Sequence, residues 1–357
     1  MDGENSLKRL TDILKQAREQ RASDIHLMPG MQVLLRVDGE LLSLEGEKIE
    51  PFWIEALIEM ILTDDQKEIL KNKKELEIGY SIPECCRLRV NLFRQRGTYA
   101  MAARLLPLTV PTPQKLGIPE TVTELAEKKS GLILVTGTAG SGVTTTLAAL
   151  VEKIAENETK AIVTIEEPVE YLYAQGKSMI LQREVGADSI SYAEALRTAA
   201  RQDTDVIVIG KLQDSETVSL ALAAAEAGCL VLAAAGENSV EAALERLVNY
   251  DETEKQICRR LARVFVGSTA QKLLPRCDGE GRVAAFEVVA ANPVVRGLIE
   301  EGKIQQLSSI LVSDEKREMQ TLDDAIYDLY MKSCISADTA IAYARDPDDM
   351  RRKVQLF

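Results

Sequence analysis

Residues 137–144 form a glycine-rich segment whose residue types are those that bind a phosphate group. Gly137, Gly140 and Gly142 allow the backbone to curl so that several N–H groups point at one anion. The segment directly follows an apolar run and precedes a predicted helix over residues 145–155, whose N-terminus adds positive potential. The spacing matches the phosphate-binding pattern G-x-x-x-x-G-K-[ST] at every fixed position except one, and Thr144 occupies the metal-binding position.

The exception is Val143, which stands where the pattern has lysine. In proteins that transfer phosphoryl groups, this lysine contacts the β- and γ-phosphates and offsets their charge. A bare glycine-rich segment is also compatible with a tight turn between a strand and a helix. The position of this segment, between an apolar run and a helix, favours descent from a phosphate-binding loop without establishing activity.

The glycine-rich segment lies within a series of short apolar runs that alternate with helical patterns. These runs are residues 132–135, 161–165, 206–209 and 229–232. Because the runs are almost wholly apolar, we expect each strand to be buried on both faces, as in a parallel sheet with helical crossovers. The sequence therefore predicts an α/β fold for this part of the chain.

The first hundred residues mix helix and strand signals. Apolar residues recur at helical spacing over residues 7–17, and a second helix is predicted over residues 51–62. Asp38 and Gly39 separate two apolar runs, which is typical of a hairpin turn. Residues 87–92 alternate between polar and apolar side chains, which predicts a half-buried strand. Together these elements indicate a smaller α+β domain.

Prolines punctuate the next stretch, at Pro107, Pro111, Pro113 and Pro119. Because proline interrupts helices and sheets, this density predicts an extended linker. After residue 276 one strand is predicted at residues 283–289, and the rest is helical, for example over residues 319–331. The predicted division is an N-terminal α+β domain (1–105), a linker (106–118), an α/β domain (119–275) and a mostly helical C-terminal region (276–357).

Composition excludes several classes of function. The 357 residues carry a formal net charge of −13, which argues against a nucleic-acid partner, and the short basic run at residues 351–353 is typical of a solvated tail. The single histidine, His26, gives no basis for a histidine-dependent hydrolase, and the six cysteines lack metal-ligand spacing. The chain contains no apolar run of about 18 residues and its first residues lack signal-peptide order, so we expect a cytoplasmic protein.

Further motifs follow one another along nearly the whole chain. They are ASDIHL (22–27), RVDG (36–39), RVN (89–91), TIEEPVE (164–170), the segment 197–205, GRVAA (281–285) and MQTLD (319–323). With the glycine-rich segment, these motifs resemble those of the PilT-like retraction ATPases of type IV pili, within the wider class of secretion ATPases. The resemblance implies a RecA-like P-loop nucleotide domain with a mostly parallel sheet, preceded by a smaller PAS-like α+β domain and followed by helices.

The resemblance also implies a ligand and partners. Members of this family form hexameric rings in which ATP lies between the nucleotide domain of one subunit and an N-terminal domain beside it. We therefore expect ATP or ADP with Mg²⁺, a homo-hexamer or a mixed ring with an active paralogue, the inner-membrane platform proteins of a type IV pilus and no nucleic acid. The residues expected to contact the nucleotide are Gly137, Gly140, Ser141, Gly142, Thr144 and Thr145.

The resemblance assigns roles to other polar residues. Thr144 would hold Mg²⁺, Glu166 would polarise the attacking water, and Asp205 would lie near the outer ligands of the metal. Arginines between residues 87 and 104 correspond to a region that reaches the phosphates, and among them Arg96 and Arg104 are the catalytic candidates. The alternative for these arginines is a solvated strand face.

Four positions depart from the family pattern, and all belong to its catalytic motifs. Val143 replaces the P-loop lysine, and Lys211 replaces the glutamate that ends the Walker B motif. Cys229 and Gly236 stand where the family has two histidines. Loss of one preorganised charge-stabilising group costs roughly 3–4 kcal/mol of transition-state stabilisation, although such losses need not add. These departures predict a degenerate ATPase with impaired or absent hydrolysis, acting as a structural or regulatory ring subunit.

Two alternatives remain open from the sequence. In the first, the chain is an active retraction motor in which Lys211 places its ammonium group where the P-loop lysine is missing, because lysine acts on phosphate as a compact point charge. Lys211 could instead pair with Asp205 or Glu166 and neutralise an empty metal site. In the second alternative, ATP or ADP binds and biases the arrangement of the domains without being hydrolysed.

Overall fold

The computed structural model describes residues 3–37, 39–83, 85–249, 254–279, 281–312 and 319–355. The chain divides into two compact units. Residues 1–109 together with 168–172 form the first unit, and residues 110–167 together with 173–357 form the second. Asp38, part of the predicted hairpin turn, lies outside the described residues.

The first unit contains a six-stranded sheet with the order β3-β2-β1-β6-β5-β4, in which every pairing is antiparallel. Its elements are α1 (Gly3–Glu19), β1 (Asp24–Leu27), β2 (Leu34–Val37), β3 (Glu40–Ser43), α2 (Pro51–Ile61), α3 (Asp64–Lys73), β4 (Glu75–Ile82), β5 (Cys86–Gln95) and β6 (Thr98–Leu106). The predicted α+β character of this part of the chain is confirmed.

Alternating side chains explain why β5 forms. Leu88, Val90 and Leu92 are buried, whereas the polar residues between them are only half-buried, so one face of the strand joins the core. This confirms the strand predicted over residues 87–92. The helix α1 buries Leu14 in the same hydrophobic cluster, and α2 adds the fully buried Trp53.

The second unit contains a seven-stranded sheet with the order β13-β12-β7-β11-β10-β8-β9. Up to its last strand, its elements are α4 (Pro113–Leu116), α5 (Glu120–Leu125), β7 (Gly131–Thr136), α6 (Val143–Asn157), β8 (Ala161–Glu166), β9 (Met179–Glu184), α7 (Tyr192–Ala199), β10 (Val206–Ile209), α8 (Ser215–Glu226), β11 (Leu230–Ala235), α9 (Val240–Val248), α10 (Glu254–Val264), β12 (Phe265–Pro275) and β13 (Arg282–Ala290). All pairings are parallel except that of β12 with β13. The predicted α/β fold with a mostly parallel sheet is confirmed.

The four predicted apolar runs are the central strands of this sheet. Every residue of β7, β10 and β11 is buried, as is all of β8 except its first residue. Helices on both faces cover them, which is why the strands carry no alternation. The structure therefore confirms the local interpretation of residues 132–135, 161–165, 206–209 and 229–232.

Two strands of this sheet were not predicted. The edge strand β9 buries only Ile180 among its six residues, so it carries little apolar signal. The strand β12 is buried but contains polar residues such as Ser268 and Gln271, which interrupt any apolar run. Its hairpin with β13 extends the sheet through residue 290, beyond the predicted domain boundary at residue 276, and β13 confirms the strand predicted at residues 283–289.

The predicted extended linker also needs correction. Leu106 is the last residue of β6, and the short helix α4 occupies residues 113–116. Pro113 is compatible with this helix because it lies in the first turn, where its missing N–H costs no hydrogen bond. Thr112 caps the helix by accepting a hydrogen bond from the Lys115 backbone N–H.

Helices follow β13, as predicted for the C-terminal region. They are α11 (Pro293–Glu300), α12 (Leu307–Val312), α13 (Leu322–Met331), α14 (Ala337–Tyr343) and α15 (Pro347–Gln355). Buried residues of the last three helices form a small cluster with Leu274 of β12 and Ala285 of β13. Among the described residues, no helix is both long enough and apolar enough to cross a membrane.

Candidate functional site

The glycine-rich segment lies at the carboxyl edge of the seven-stranded sheet. β7, β8, β10 and β11 run parallel and in register, with Thr136 opposite Ala235 and Ile165 opposite Ile209. Residues that follow these strands therefore gather at one edge, where open α/β sheets bind their ligands. The structure brings together at this edge the glycine-rich loop, Glu166, Lys211 and Gly236.

The glycines give this loop its curled backbone. Gly140 and Gly142 have φ angles of 80° and 92°, a region that other residues rarely adopt. At Gly137, a Cβ atom would lie 2.3 Å from Ser141 Oγ and 3.0 Å from the Gln271 carbonyl oxygen. Helix α6 begins at Val143, two residues earlier than predicted, and the Thr146 N–H donates to the Gly142 carbonyl. The loop thus presents backbone N–H groups at a helix N-terminus, which is the geometry of an anion site.

Gln271 supports the loop from the neighbouring strand β12. Its Nε2 donates a 2.7 Å hydrogen bond to the Ser141 carbonyl oxygen, and only 3% of the residue is exposed. Gln271 Oε1 and Ser141 Oγ are buried and have no hydrogen-bond partner within the described ranges. Gln271 was not predicted from the sequence, because β12 was not recognised as a strand and its polar residues give no apolar run.

Val143 is the first residue of α6. It is partly buried and packs against the hydrophobic cluster that α6 forms with the sheet, which includes Val135 and Leu147. A lysine at this position would need to direct its ammonium group at the loop instead. Thr144 and Thr145, the next two residues of α6, are partly exposed.

Glu166 ends β8 at the same edge and is only 8% exposed. Thr164 Oγ1 donates a 2.7 Å hydrogen bond to its Oε1. Tyr192, which the sequence analysis did not single out, has its pKa raised by burial first, and then by the charges of Glu167 and Glu166. The carboxylate of Glu166 is therefore held in place on the loop side of the sheet, beside a buried phenol.

Lys211 follows β10 on the same side. The preceding Gly210 donates its N–H to the Ile165 carbonyl oxygen at 2.8 Å, and a Cβ atom there would lie 3.3 Å from Glu166 Cα. The Lys211 side chain is exposed and makes no ion pair or hydrogen bond with the rest of the described chain. Its placement at the loop edge leaves open the hypothesis that it replaces the missing lysine.

Asp205 does not lie near the loop, and its assignment to the metal site is corrected. It precedes β10, so it lies at the amino edge of the sheet, about 13 Å from the carboxyl edge for a four-residue strand. Its Oδ2 accepts a 2.9 Å hydrogen bond from the Ala161 N–H, and Lys160 Nζ lies 3.9 Å from Oδ1. The suggested pairing of Lys211 with Asp205 is therefore wrong as well.

The two positions that lack the family histidines lie at opposite edges. Cys229 precedes β11 at the amino edge, where its Sγ donates to the Thr204 carbonyl oxygen and burial raises the pKa of its thiol. Gly236 follows β11 at the carboxyl edge, next to Glu237, whose carbonyl oxygen accepts a hydrogen bond from Thr136 Oγ1. Only Gly236 of these two can affect a ligand in the loop.

The arginines of the first unit occupy different environments. Arg96 lies in the hairpin turn between β5 and β6, where it has a φ of 47° and is exposed. Arg104 Nε donates a 2.9 Å hydrogen bond to Asp24 Oδ1. Arg87 donates to the Val169 carbonyl oxygen, and Arg89 pairs with Glu77 and Glu170. The catalytic roles of Arg96 and Arg104 remain predictions.

Comparison with known proteins identifies the family. The profile described as type II/IV secretion system protein matches residues 2–324. The chain belongs to this family. A member of the type II/IV secretion system protein family from Pseudomonas aeruginosa, the type IV pilus retraction ATPase PilT, is 35% identical over 95% of this chain and 99% of its own length.

Two further comparisons extend this result. The type IV pilus ATPase PilU of P. aeruginosa is 31% identical over 96% of this chain and 91% of its own length. The crystal structure of the pilus retraction motor PilT with bound ADP superposes with a TM-score of 0.87 at 37% identity, covering 96% of this chain and 98% of that one. The resemblance to PilT-like retraction ATPases is confirmed, and so is the architecture of an antiparallel-sheet unit, a mostly parallel α/β unit and C-terminal helices.

The loop backbone and Thr144 can be compared with what a phosphate group and Mg²⁺ require. Its backbone fits a phosphate group, because Gly140 and Gly142 have the left-handed φ angles that curl the loop at the N-terminus of α6. Thr144 lies at the start of α6 with a partly exposed side chain, so it fits a role as a Mg²⁺ ligand. Position 143 supplies no cation to the loop, and Lys211 lies at the same edge of the sheet.

Proposed function

We propose that this protein is a ring subunit of a type IV pilus retraction machine whose own ATP site has impaired or absent hydrolysis. The observation that carries the proposal is the apolar side chain of Val143 at the first position of α6, where it packs against the hydrophobic cluster beneath the helix. The loop therefore has the backbone conformation of a phosphate-binding loop but lacks the lysine of the pattern. In this role the protein acts as a structural or regulatory subunit, and its similarity to PilT and PilU supports the assignment to a pilus machine.

The charge changes explain why hydrolysis would fail. In phosphoryl transfer the protein acts mainly by positioning and by stabilising negative charge, and the P-loop lysine is one of the main cations. Lys211 further places a positive charge where the family pattern has a glutamate beside the metal. Removal of one such group lowers the rate on the order of 10²- to 10³-fold. Both changes lie at the loop edge of the sheet, so they act on one site.

Nucleotide binding is proposed to be weakened. The backbone of the loop supports contacts of ATP or ADP with Gly137, Gly140, Ser141, Gly142, Thr144 and Thr145. The ADP in the PilT structure supports the choice of ligand. Without the lysine, the phosphates bind only to backbone N–H groups, a helix N-terminus and Mg²⁺ on Thr144.

The proposed partners follow from the same similarity. We expect a homo-hexamer, or a mixed ring with an active paralogue, at the cytoplasmic face of the inner membrane and in contact with the pilus platform proteins. Arg96 and Arg104 are proposed to act at the phosphates of a neighbouring subunit in such a ring. Gel filtration with light scattering, with and without an active PilT-like protein, distinguishes the two kinds of ring.

The test restores the missing groups. Phosphate release and nucleotide affinity are measured for the wild type and for the variant Val143→Lys with Lys211→Glu. We expect background release from the wild type and release at least ~10²-fold higher from the double variant. Adding Glu166→Ala to the double variant should return release to background. Wild-type release that Glu166→Ala abolishes would contradict the proposal and would establish an active motor.

One observation favours the active motor as a second candidate. Lys211 is exposed at the loop edge and has no ion pair or hydrogen bond among the described residues, so its ammonium group is available to a phosphate. Under this hypothesis, Lys211→Ala abolishes nucleotide binding measured by calorimetry. Lys129→Ala is the matched control, because Lys129 is also exposed but lies just before β7 at the amino edge. Equal affinities of wild type and both variants would exclude a role for Lys211.

The same calorimetry tests a third candidate, the nucleotide-binding switch. The intact loop backbone favours it, because phosphate contacts do not require the lysine side chain. Binding of ATP or ADP without phosphate release, together with a nucleotide-dependent change in solution scattering, would select it. If neither ATP nor ADP binds, a structural subunit is the one of these candidates that remains.

A further inference from the structure

Cys277 and Cys334 are distant in the sequence but adjacent in the structure of the second unit. Cys277 lies in the turn between β12 and β13, and Cys334 lies in the turn that follows α13. The backbone N–H of Cys277 donates a 2.9 Å hydrogen bond to the carbonyl oxygen of Cys334. A hydrogen bond of this length keeps the two Cα atoms within roughly 6 Å of each other, which lies inside the range that a disulfide bond spans.

The sulfur of Cys277 points to the same turn. Its Sγ donates to the carbonyl oxygen of Ser333 at 2.8 Å, so both polar groups of Cys277 contact the turn that carries Cys334. Cys334 Sγ lies 3.8 Å from the Lys332 carbonyl oxygen on that turn. Formation of a disulfide therefore requires both sulfurs to leave these carbonyl contacts for each other.

Hydrogen bonds hold each of the two turns in place. In the first turn, the Arg276 N–H donates to the Gly281 carbonyl oxygen at 3.2 Å. In the second turn, the Cys334 N–H donates to the Leu329 carbonyl oxygen at 2.9 Å, and Ser333 has a left-handed φ of 55°. The approach of the two cysteines is therefore fixed by the backbone.

The surroundings of the pair favour thiol chemistry. Cys277 is exposed and Cys334 is half-buried against the C-terminal cluster, so an oxidant reaches Cys277 first. The pKa of Arg276 is raised mainly by its hydrogen bond to Asp278, and also by the charges of Cys334 and Cys277. Both sulfurs therefore lie near one guanidinium, that of Arg276, which itself pairs with the Asp278 carboxylate at 2.9 Å.

The neighbouring cysteines Cys85 and Cys86 of the first unit provide a contrast. Both are buried, and burial, followed by the influence of Cys85, raises the pKa of Cys86 to about 12. Thiolate formation is suppressed there, so this pair should resist oxidation. The two cysteines that are adjacent in the sequence, Cys85 and Cys86, are therefore the less reactive pair.

We propose that Cys277 and Cys334 form a reversible intramolecular disulfide when the protein meets a peroxide. The Cys277 thiolate attacks one peroxide oxygen, the O–O bond breaks, and a sulfenic acid and one water result after protonation. The Cys334 thiolate then attacks the sulfenic sulfur, which forms the S–S bond and releases the second oxygen as water. In total two thiols and one hydrogen peroxide give one disulfide and two waters.

This bond would join the β12–β13 hairpin to the turn between α13 and α14. It would therefore fasten the C-terminal helices to the seven-stranded sheet under oxidising conditions and release them when a thiol reductant returns. The proposal depends on neither nucleotide binding nor hydrolysis, so it stands apart from the proposed function.

The test titrates the folded full-length protein with hydrogen peroxide. Remaining thiols are alkylated, and peptides are mapped by mass spectrometry before and after treatment with dithiothreitol. We expect a linked peptide pair containing Cys277 and Cys334, the loss of two thiols per chain, and full recovery on reduction. The thermal unfolding midpoint should rise on oxidation and return on reduction, because the bond limits the unfolded chain.

Variants separate this pair from the other thiols. Cys277→Ser and Cys334→Ser should each abolish the linked peptides and the shift in midpoint, whereas Cys258→Ser, a change at a buried cysteine, should leave the linked peptides unchanged. Oxidation of Cys277 to sulfinic acid without a linked peptide would overturn the proposal. Linkage of Cys277 to a different cysteine, or between two chains, would overturn it as well.

Discussion

The two edges of the seven-stranded sheet differ in how their polar groups are satisfied. At the amino edge, the Asp205 carboxylate accepts a hydrogen bond from Ala161 and lies beside Lys160, and Glu226 pairs with Arg260. At the carboxyl edge, the glycines of the loop are in place, but Val143 packs into the core and the cation Lys211 has no partner in the part of the chain that the structure describes.

The difference separates what the fold needs from what catalysis needs. Glycines of the loop serve the fold, because any side chain at Gly137 would collide with Ser141 and Gln271. The lysine of the pattern serves catalysis, and a valine replaces it with a side chain that the neighbouring cluster accommodates. Function resides in a site carried by a fold, so a site can lose its charges while the sheet around it persists.

The largest stability effect is expected from Gly137→Ala at the carboxyl edge. The new Cβ would lie 2.3 Å from Ser141 Oγ, so the loop must shift, at a cost of about 2 to 3 kcal/mol in the free energy of unfolding. Gly140→Ala is the matched control. It has a φ of 80° but no atom within 4 Å of the new Cβ, so it should cost about 1 kcal/mol.

Urea denaturation of the two variants measures this difference. If Gly137→Ala and Gly140→Ala lower the free energy of unfolding equally, the space next to Ser141 can accommodate a Cβ atom at position 137. The loop backbone would then be a remnant of its ancestry instead of part of the fold.

An intermediate effect is expected from Asp205→Ala at the amino edge. The variant loses the 2.9 Å hydrogen bond to the Ala161 N–H, which should lower the free energy of unfolding by about 1 kcal/mol. Asp205→Asn keeps an acceptor oxygen and should recover most of this loss. Affinity for Mg²⁺ with ATP or ADP, measured by calorimetry, should be the same in both variants as in the wild type. A tenfold weaker affinity in Asp205→Ala would return this residue to the metal site.

The smallest effect concerns the ion pair of Glu226 with Arg260. The hydrogen bonds from Arg260 lower the pKa of Glu226, so the pair stabilises the folded state above the unfolded pKa of the carboxyl group and this stability is lost as the pH falls through the lower, folded value. Because both side chains are partly exposed to solvent, which screens their charges, we expect at most about 0.5 kcal/mol.

Thermal unfolding of the wild type and Arg260→Gln across pH 3 to 7 measures this contribution. The difference in midpoint should be present at neutral pH and should vanish at the acid end. A difference that persists at pH 3 would mean that Arg260 stabilises the fold mainly through contacts that do not depend on the Glu226 charge, such as its hydrogen bonds to Ser219.

The sequence predicted the parts of the site that depend on local patterns. The glycine spacing and the apolar run before Gly137 predicted the phosphate-binding loop. The central strands were recognised because parallel strands that are buried on both faces are continuously apolar. Asp205 was misplaced although its position was readable: it precedes its apolar run, whereas the loop follows one, so in a parallel sheet the two must lie at opposite edges.

Other parts of the site depend on pairings that the sequence does not display. Gln271 reaches the loop only because β12 pairs with β7, and Tyr192 meets Glu166 only because α7 packs on the sheet. Cys277 and Cys334 meet because a hairpin and a helix turn pack side by side. Such contacts join residues that are far apart in the chain, so no local spacing signals them.

The sequence by itself determined the residue types of the loop, the absence of its lysine and the α/β character of the sheet, since each of these is a property of neighbouring residues. Only the tertiary structure decided that the Val143 side chain packs against the core cluster and that Gln271 supports the loop. The physical reason is that strand order and direction set which side chains share an edge, and the order β12-β7-β11-β10-β8 does not follow the order of the chain.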